Sequence, residues 1–528
     1  MKRSIFLLIA LFVSVYSFGQ GEIDAYRMSK NDLSGTARGQ AMGGAFGALG
    51  GDVTGVTINP AGIGIYRSSE ILLNLGLNYN RTSALFNGTE ETKGNTAFSC
   101  DNFGYVGTFP LEKQGNYAIN FGFNYNRLKN FNRKYQVSGT GMGSSLTDYA
   151  ADITTLQGVP HTWWNQFNTT DDQFLASDGP HWLSVLGWNT WMINPIDGTN
   201  SSYQSFLDPR ETVDPKLQVN ESGSVDAYDF TLGANLNNKV YIGGTIVYTD
   251  ISYNSNVYYG ESFENGGGLD LNNKYSTQGS GIQLKVGVIG RPTDALRLGV
   301  SYQSPTWYNL TDFYSGTLAP WGVQDDNNNL VESISTPSGN GDDSHRYNFR
   351  TPNIWTFSAA CVLGQAAVIS VDYEYKDYGG MRFSRQFIND YDFSNENQYI
   401  QEDFGGTSTI RVGGEYRFTP QFSGRLGTAW MQQPYDSQFK NGDIQVMTPG
   451  TIPNYTIDGN TLYLTGGVGF RFTPQFYMDL ALVFRTQQDD LYFYSPTFND
   501  DGSRFVDSTP AKLRNNSFKA LVTLGYKF

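Results

Sequence analysis

The chain contains 528 residues and carries a formal net charge of −14, and an acidic balance of this size argues against nucleic acid as a partner. Only 16% of the residues are charged, yet no apolar run reaches the roughly 18 residues that a transmembrane helix requires. The high content of Gly (60), Phe (35) and Tyr (34) instead favours an all-β protein.

Residues 1–19 have the pattern of a secretion signal. Lys2 and Arg3 precede an apolar stretch that begins at Ile5, and Ser17 and Gly19 supply small residues for cleavage before residue 20. The pattern predicts that the protein is exported and that the signal peptide is removed.

Residues 20–68 precede the first predicted strand and are rich in small residues, above all between Gly35 and Asp52. Small residues let a backbone pack closely against surrounding walls. We therefore expect this segment to form a plug, or hatch, inside a barrel. Two roles are open for its most distinctive positions, which either gate the pore or only anchor the plug through turns and backbone hydrogen bonds. These positions are Asp52, Asn59, Pro60, Ala61 and Gly62.

Fourteen later segments alternate between apolar and polar residues with the period of two that β-strands have. In the first of them, Ile71, Leu73 and Leu77 oppose Asn74 and Asn78. Lipid-facing and lumen-facing rows of a membrane barrel have this composition. The predicted strands are 69–82, 102–111, 116–127, 226–236, 239–255, 279–290, 295–304, 352–363, 367–379, 407–418, 422–432, 461–472, 476–488 and 515–528.

The last strand alternates from Phe518 to an aromatic carboxyl terminus, Phe528, which is typical of the closing strand of an outer-membrane barrel. Connections between the predicted strands alternate strictly between short and long. Two of the short ones share the sequence Arg-Phe-Thr-Pro-Gln-Phe, at 417–422 and 471–476. We therefore predict that residues 69–528 form a 14-stranded transmembrane β-barrel in the outer membrane of a Gram-negative bacterium.

The longest predicted connection, residues 128–225, lies on the external side and contains a cluster of aromatic side chains. As a capture surface, the cluster would concentrate an apolar ligand. As the core of a folded loop, it would only fill space, and both interpretations are open. The residues concerned are Trp163, Trp164, Phe167, Trp182, Trp188 and Trp191.

Charged residues also fall on the lumen-facing rows, among them Arg411, Glu415 and Arg425. Mixed charges inside a barrel either pair with one another and with the plug or bind the charged group of a substrate, and both possibilities are kept.

The sequence predicts no metal site and no other cofactor. The three His residues lie in predicted loops without the paired spacing of haem or metal ligands. The acidic runs at 325–329 and 499–502 lack the full ligand spacing of a calcium loop.

Several of these segments, taken together, resemble the FadL/TodX family of outer-membrane transporters for long-chain fatty acids and other hydrophobic compounds. The resemblance rests on Ala41–Gly44, on Asn59–Gly62 and on three strand motifs, Leu298–Pro305, Val371–Glu374 and Ile410–Tyr416. It implies a 14-stranded barrel plugged by its amino terminus, with ligand captured by external loops and released sideways through a gap beside a kinked strand. The long external loop departs from the family.

We therefore expect passive uptake of hydrophobic or amphipathic small molecules, such as long-chain fatty acids, with the hatch as the gate. Outer-membrane lipid is an expected partner. The alternative is a structural subunit of an outer-membrane assembly whose long loop binds a protein partner. No nucleophile and base at catalytic spacing are visible, so an enzyme is not expected.

Overall fold

The computed structural model describes residues 21–111, 116–176, 179–208, 210–325, 327–337, 344–386, 392–498 and 504–528. The predicted signal peptide (1–19) therefore lies outside the described residues.

Fourteen antiparallel strands close into one barrel, as the sequence predicts. Each strand pairs with its neighbours in chain order, and β1 closes on β14 from Glu70↔Lys527 to Leu85↔Lys512. The wall strands are β1 (Glu70–Phe86), β2 (Thr89–Pro110), β3 (Tyr117–Asn130), β4 (Val213–Leu236), β5 (Val240–Phe263), β6 (Gly268–Gly290), β7 (Leu296–Gln303), β8 (Ile354–Leu363), β9 (Ala367–Asp377), β10 (Gly406–Arg417), β11 (Phe422–Met431), β12 (Tyr455–Arg471), β13 (Phe476–Tyr492) and β14 (Ala511–Lys527).

The barrel has two unlike ends. At the turn end the connections are tight, and Asn237 and Asn238 both adopt positive φ between β4 and β5. At the loop end the wall is prolonged by further strands that pair with one another or with β4 and β6. These are Arg133–Ser138 beyond β3, Trp307–Trp321 beyond β7, Ser344–Arg350 before β8 and Arg382–Arg385 beyond β9.

Helices are short and lie outside the wall strands. The first three precede β1, the next three belong to the connection between β3 and β4, and the last two belong to later connections. They are α1 (Glu22–Ser29), α2 (Ala37–Ala41), α3 (Val53–Ile58), α4 (Leu146–Leu156), α5 (Thr170–Phe174), α6 (Trp182–Asn189), α7 (Ser394–Asp403) and α8 (Ser437–Lys440). In the described part of the chain, no helix has the length and apolar character needed to cross a membrane.

The outward face of the wall is apolar and the inward face is polar. On β1, Leu77 is 51% exposed, whereas Asn74 and Asn78 are buried. Two bands of exposed aromatic side chains border the apolar surface, as in membrane barrels. The outer aromatic girdle, towards the loop end, contains Tyr79, Tyr248, Trp307, Trp355, Tyr375, Trp430 and Phe518. The inner aromatic girdle, at the turn end, contains Phe109, Tyr117, Phe418, Phe422, Phe470, Phe476, Tyr526 and Phe528.

Several strands extend further towards the loop end than the sequence predicts. The long connection predicted at 128–225 is shorter, because β3 continues to Asn130 and β4 already begins at Val213. These extensions stand above the outer aromatic girdle, and their outward faces are polar whereas their inward faces carry buried apolar residues such as Val213, Leu217 and Leu271. The lipid-facing apolar pattern used for prediction is therefore absent from them.

Candidate functional site

The amino-terminal segment, residues 21–69, lies in the lumen and is bonded to strands all round the wall. The Asn74 side chain of β1 donates to the Gly35 carbonyl (3.0 Å), and Asn120 of β3 donates to the Ile63 carbonyl (2.6 Å). On the opposite side, Thr465 of β12 donates to the Ala41 carbonyl (2.9 Å). A segment held from so many directions fills the cross-section of the barrel.

Asp52 has a structural position within this segment. Its Oδ1 accepts from the Thr54 amide (2.9 Å) and thereby caps the first turn of α3. The hydroxyl of Thr36, which caps α2, donates to the same carboxylate (2.9 Å). Asp52 therefore joins the beginnings of two helices.

The Asn59–Gly62 turn ties the segment to itself and to the wall. Asn59 Oδ1 accepts from the Ala61 amide (3.1 Å), and Asn59 Nδ2 donates to the Gly47 carbonyl (2.9 Å) and more weakly to that of Val288 on β6 (3.3 Å). Pro60 starts a 3-10 helix, Pro60–Ile65, where a missing amide hydrogen costs nothing.

Glycines of the wall make room for this backbone, and we call them the glycine seat. A Cβ on Gly243 would collide with the Pro60 carbonyl, and a Cβ on Gly427 would collide with the Gly43 amide. Glycine is therefore required where two backbones approach this closely. The seat comprises Gly243, Gly287 and Gly299 under residues 47–61, and Gly413, Gly427 and Gly467 under residues 41–43.

The lumen charges at the turn end are paired with one another and with the amino-terminal segment. Glu415 accepts two hydrogen bonds from Arg38 (2.9 and 3.2 Å) and one from Arg425 (2.6 Å). Arg425 also donates to Asp479 (2.6 Å). Arg411 donates to Glu374 in the same way (2.7 Å). Of the two interpretations drawn from the sequence, the structure supports pairing for Arg411, Glu415 and Arg425.

Asp372 of β9 holds a tight turn of the amino-terminal segment. Its Oδ2 accepts from the amides of Phe46 (3.0 Å) and Gly47 (2.9 Å), and the side chain is completely buried. The two amides thus hold Oδ2, whereas Oδ1 is buried without a hydrogen bond.

Helix α1 lies at the other end of the segment, against the external connections. The ring of Tyr26 packs against those of Tyr378, Phe404 and Tyr435 at centroid distances of 5.2, 5.8 and 5.4 Å. Glu22 is buried beside this contact and accepts from the Met447 amide (3.2 Å). Burial raises the pKa of Glu22 to about 8, and the negative charges of Asp403 and Asp24 add to the rise.

Between α1 and the wall lies a cavity of about 160 Å³, which we call the chamber. Asn, Gln, Ser and Thr side chains supply much of its lining. Six of its lining residues are cationic and three are anionic. The cations are Arg27, Lys30, Lys129, Arg133, Arg485 and Lys519, and the anions are Asp32, Glu221 and Asp458.

Two chamber cations stand apart from the rest. Lys30 pairs with Asp458 (2.6 Å) and Arg133 with Glu221 (2.6 Å). Within the described ranges, neither Lys129 nor Arg485 has a carboxylate within 4.0 Å, and Arg485 Nε is buried without a hydrogen bond.

Asp32 lies close to this pair of cations. Burial by itself raises the pKa of Asp32, but Arg485, Lys129 and Lys30 together lower it below its ordinary value. The chamber therefore stabilises negative charge.

The aromatic cluster of the long connection is mostly a core. Trp163, Trp164 and Trp182 are at most 5% exposed, and Trp164 donates to the Tyr203 hydroxyl (2.8 Å) while its ring stacks on Trp188 at 4.9 Å. Side chains buried in this way present no surface to a ligand. Phe167 and Trp188 are half-buried, and Trp191 is 37% exposed.

The wall is discontinuous between β2 and β3. Their pairing runs from Asn102↔Asn126 to Pro110↔Ala118, and the part of β2 before Asn102 pairs with β1 alone among the described strands. The pairing of β1 and β2 shifts register between Asn74 and Leu75.

Sequence reasoning missed Arg38, Lys129 and the glycine seat. Single glycines on the inward rows of predicted strands, such as Gly243 and Gly427, were the available signal, because they mark close backbone approach. Arg38 and Lys129 carry no comparable signal, since their significance depends on which charges face them.

Known structures share this architecture. The FadL homologue of Pseudomonas aeruginosa is 12% identical, with 94% of this chain and 99% of that chain covered and a TM-score of 0.50. The toluene transporter TodX of P. putida is 13% identical, with 94% and 99% covered and a TM-score of 0.46. The toluene transporter TbuX of Ralstonia pickettii is 15% identical, with 93% and 98% covered and a TM-score of 0.45.

No protein-family model matches this chain, and a search of curated proteins finds no significant match. The structural likeness concerns the fold. At that level the resemblance predicted from the sequence is confirmed: the chain has the fold of the FadL homologue, a closed antiparallel barrel that here has fourteen strands.

Proposed function

We propose that this protein sits in the outer membrane of a Gram-negative bacterium and lets hydrophobic or amphipathic small molecules enter passively. The turn end and the carboxyl terminus face the periplasm, and the loop end faces outward. The two aromatic girdles and the apolar surface between them support this placement, because each girdle suits a membrane–water interface.

The observation that carries the proposal is the chamber. It provides about 160 Å³ between α1 and the wall, and six cationic residues contribute to its lining. Binding sites for drug-sized ligands have volumes of roughly 300–1,000 Å³, so the chamber takes only the polar end of a long ligand. Lys129 and Arg485 would bind the carboxylate of an amphipathic ligand such as a long-chain fatty acid.

We limit the proposed capture of ligand on the external loops to the exposed apolar side chains of the long connection. Leu175 is 63% exposed, Phe206 is 41% exposed and Trp191 is 37% exposed. The buried Trp163, Trp164 and Trp182 support the loop and take no part in capture.

The amino-terminal segment acts as the hatch of this path. Residues 35–65 rest on the glycine seat and block the turn end, whereas α1 borders the chamber. We place the exit for ligand at the discontinuity between β2 and β3. The two strands are not hydrogen-bonded to each other there, so an opening towards the lipid forms without breaking hydrogen bonds of the wall.

The test is uptake of a radiolabelled long-chain fatty acid by cells that lack their own transporter, with the chain-matched alcohol in parallel. Cells expressing the protein should take up both compounds faster than vector controls. In the double variant K129Q/R485Q, the half-saturating concentration of the acid should rise about tenfold, because charge-assisted hydrogen bonds are lost. Uptake of the alcohol should be unchanged.

The matched control is K512Q, which removes an exposed cation outside the lumen, where Lys512 pairs with Asp490 (2.7 Å). Uptake at the vector level by cells that contain a folded, heat-modifiable barrel would contradict the proposal. That result would favour the alternative, a structural subunit of an outer-membrane assembly. The alternative would be supported by a stoichiometric protein partner that co-purifies with the intact barrel and is lost when residues 141–208 are deleted.

A further inference from the structure

Three arginines lie on the outward face of the wall just beyond the membrane-facing surface. Arg346 and Arg350 belong to the segment Ser344–Arg350, and Arg382 belongs to Arg382–Arg385. Arg350 is directly opposite Arg382 on one side and opposite Trp307 on the other. Arg346, Arg350 and Arg382 are all exposed. We call these residues the arginine cluster.

Among the described residues, the cluster lacks a counter-charge. Across the described ranges, none of the three guanidinium groups has a carboxylate within 4.0 Å. Arg350 donates only to the Gly380 carbonyl (3.3 Å), and the nearby Asp377 accepts instead from the Gly379 amide (3.2 Å). Like charges directly opposite each other destabilise a sheet.

Some other outward-facing cations of the wall are neutralised by neighbours. Arg127 of β3 donates to Asp226 (2.9 Å), and Lys512 of β14 pairs with Asp490 (2.7 Å). The arginine cluster differs from these two positions because Arg350 and Arg382 lie directly opposite each other in paired strands without a carboxylate between them. An anion from outside the protein would offset its repulsion.

The position of the cluster along the barrel axis, relative to the outer aromatic girdle, indicates the source of that anion. Trp307, next to Arg350, and Trp355 and Tyr375, just below, are members of the outer aromatic girdle and are 48%, 41% and 39% exposed. Aromatic girdles lie at the boundary between hydrocarbon and headgroups. The guanidinium groups therefore lie at headgroup level on the loop-end side.

We propose that the arginine cluster binds the phosphate of a phosphorylated glycolipid in the outer leaflet. The planar guanidinium donates two parallel hydrogen bonds to phosphate oxygens, which an ammonium group does not do. Trp307 and Trp355 pack against the upper part of the acyl chains. This inference rests on the membrane placement given under the proposed function, but not on the chamber or on transport.

The experiment measures lipid binding to the full-length protein in detergent by native mass spectrometry. Bisphosphorylated lipid A, the same lipid after phosphatase treatment, and inorganic phosphate are the three probes. We expect the first to bind at least about tenfold more tightly than the second, and R350Q/R382Q to lose this preference. Inorganic phosphate should bind weakly, because the acyl chains contribute through the girdle.

The control variant is K216Q/K274Q, which removes two exposed outward-facing cations above the girdle, and it should bind lipid A like the unaltered protein. Equal binding of lipid A to R350Q/R382Q and to the unaltered protein would overturn the inference, as would equal binding of the dephosphorylated lipid. Heat-modifiability reports folding of each variant. Fatty-acid uptake by R350Q/R382Q should stay normal, so failure here and failure of the proposed transport function are separate results.

Discussion

The two halves of the lumen are built on opposite principles. Around residues 35–65, Arg38, Glu415, Arg425 and Asp479 are joined in one network of ion pairs, and backbone lies directly on the glycine seat. Around α1 there is a cavity, two cations without an ion pair, and buried carboxyl groups of raised pKa. The difference predicts that the amino-terminal segment is held most firmly at the turn end and rearranges most easily at α1. The following experiments test that contrast.

The largest effect is expected from E415Q. The Glu415 side chain is only 11% exposed, and its loss of charge leaves Arg38 and Arg425 without their shared partner. Breaking a buried pair by removing one partner typically lowers the free energy of unfolding by about 3–5 kcal/mol. Urea unfolding of the barrel in lipid vesicles measures this change.

The control for E415Q is D490N, because Asp490 and Lys512 form an exposed pair worth about 1 kcal/mol or less. Similar losses in the two variants would show that the charge network at the turn end does not hold the hatch.

A second test places a side chain in the glycine seat. G427V forces Gly43 away from the wall, and overpacking of this kind costs about 1–3 kcal/mol. We expect the barrel to persist with its hatch displaced, so that residues 35–65 become sensitive to protease and single-channel conductance in planar bilayers increases.

G414V is the matched control, since a Cβ at Gly414 faces outward and its nearest neighbour, the Val368 carbonyl oxygen, is 3.6 Å away. If both variants conduct alike, the seat does not keep the pore closed.

Docking of α1 should weaken as pH rises. Burial raises the pKa of Glu22 from 4.5 to about 8, and burial, with the charges of Glu402 and Asp436, raises that of Asp403 to about 7. An undocked, solvated carboxyl ionises at its lower ordinary pKa, so the docked state carries no penalty below about pH 4. The penalty then grows until about pH 8, where Glu22 ionises in place.

Hydrogen exchange of α1 amides between pH 4 and 9, corrected for intrinsic rates, measures this dependence. E22Q should reduce it, whereas E402Q, at an exposed position of α7, should leave most of it. If hydrogen exchange of the α1 amides depends on pH equally in E22Q and in the unaltered protein, ionisation of Glu22 does not control the docking of α1.

The smallest change in stability is expected for W191A. Trp191 is 37% exposed, and surface substitutions usually change stability by less than about 0.5 kcal/mol. Uptake should nevertheless fall if this side chain captures ligand. W164A is the comparison, because Trp164 is 2% exposed and large core truncations cost about 3–5 kcal/mol. Normal uptake in W191A would remove this residue from the proposed capture surface.

The period-two alternation predicted the strands of the barrel well, but it predicted poorly where those strands end on the loop side. Ile71, Leu73 and Leu77 alternate with Asn74 and Asn78 because one face points away from the barrel and the other points into the lumen, and the structure reproduces both rows. Beyond the outer girdle the outward face is polar and the apolar residues face inward. In the first half of β4, Val213 and Leu217 are buried while Lys216 is exposed, so the outward apolar row that identified the other strands is absent there.

The candidate site was predictable only in part. Asp52 and Asn59 could be found because caps and turns depend on neighbours in sequence. Lys129 and Arg485 could not be distinguished from other charges, because their lack of an ion pair depends on strands 350 residues apart.

The sequence by itself determined the fold class, the strand number and the two faces of the wall. These follow from local alternation, which every strand satisfies separately in a membrane. Tertiary structure alone decided which charges pair, which glycines meet backbone, and that Trp164 and Trp182 are buried. Those properties arise from contacts between distant segments, and a pattern within one segment carries no record of what lies across the lumen.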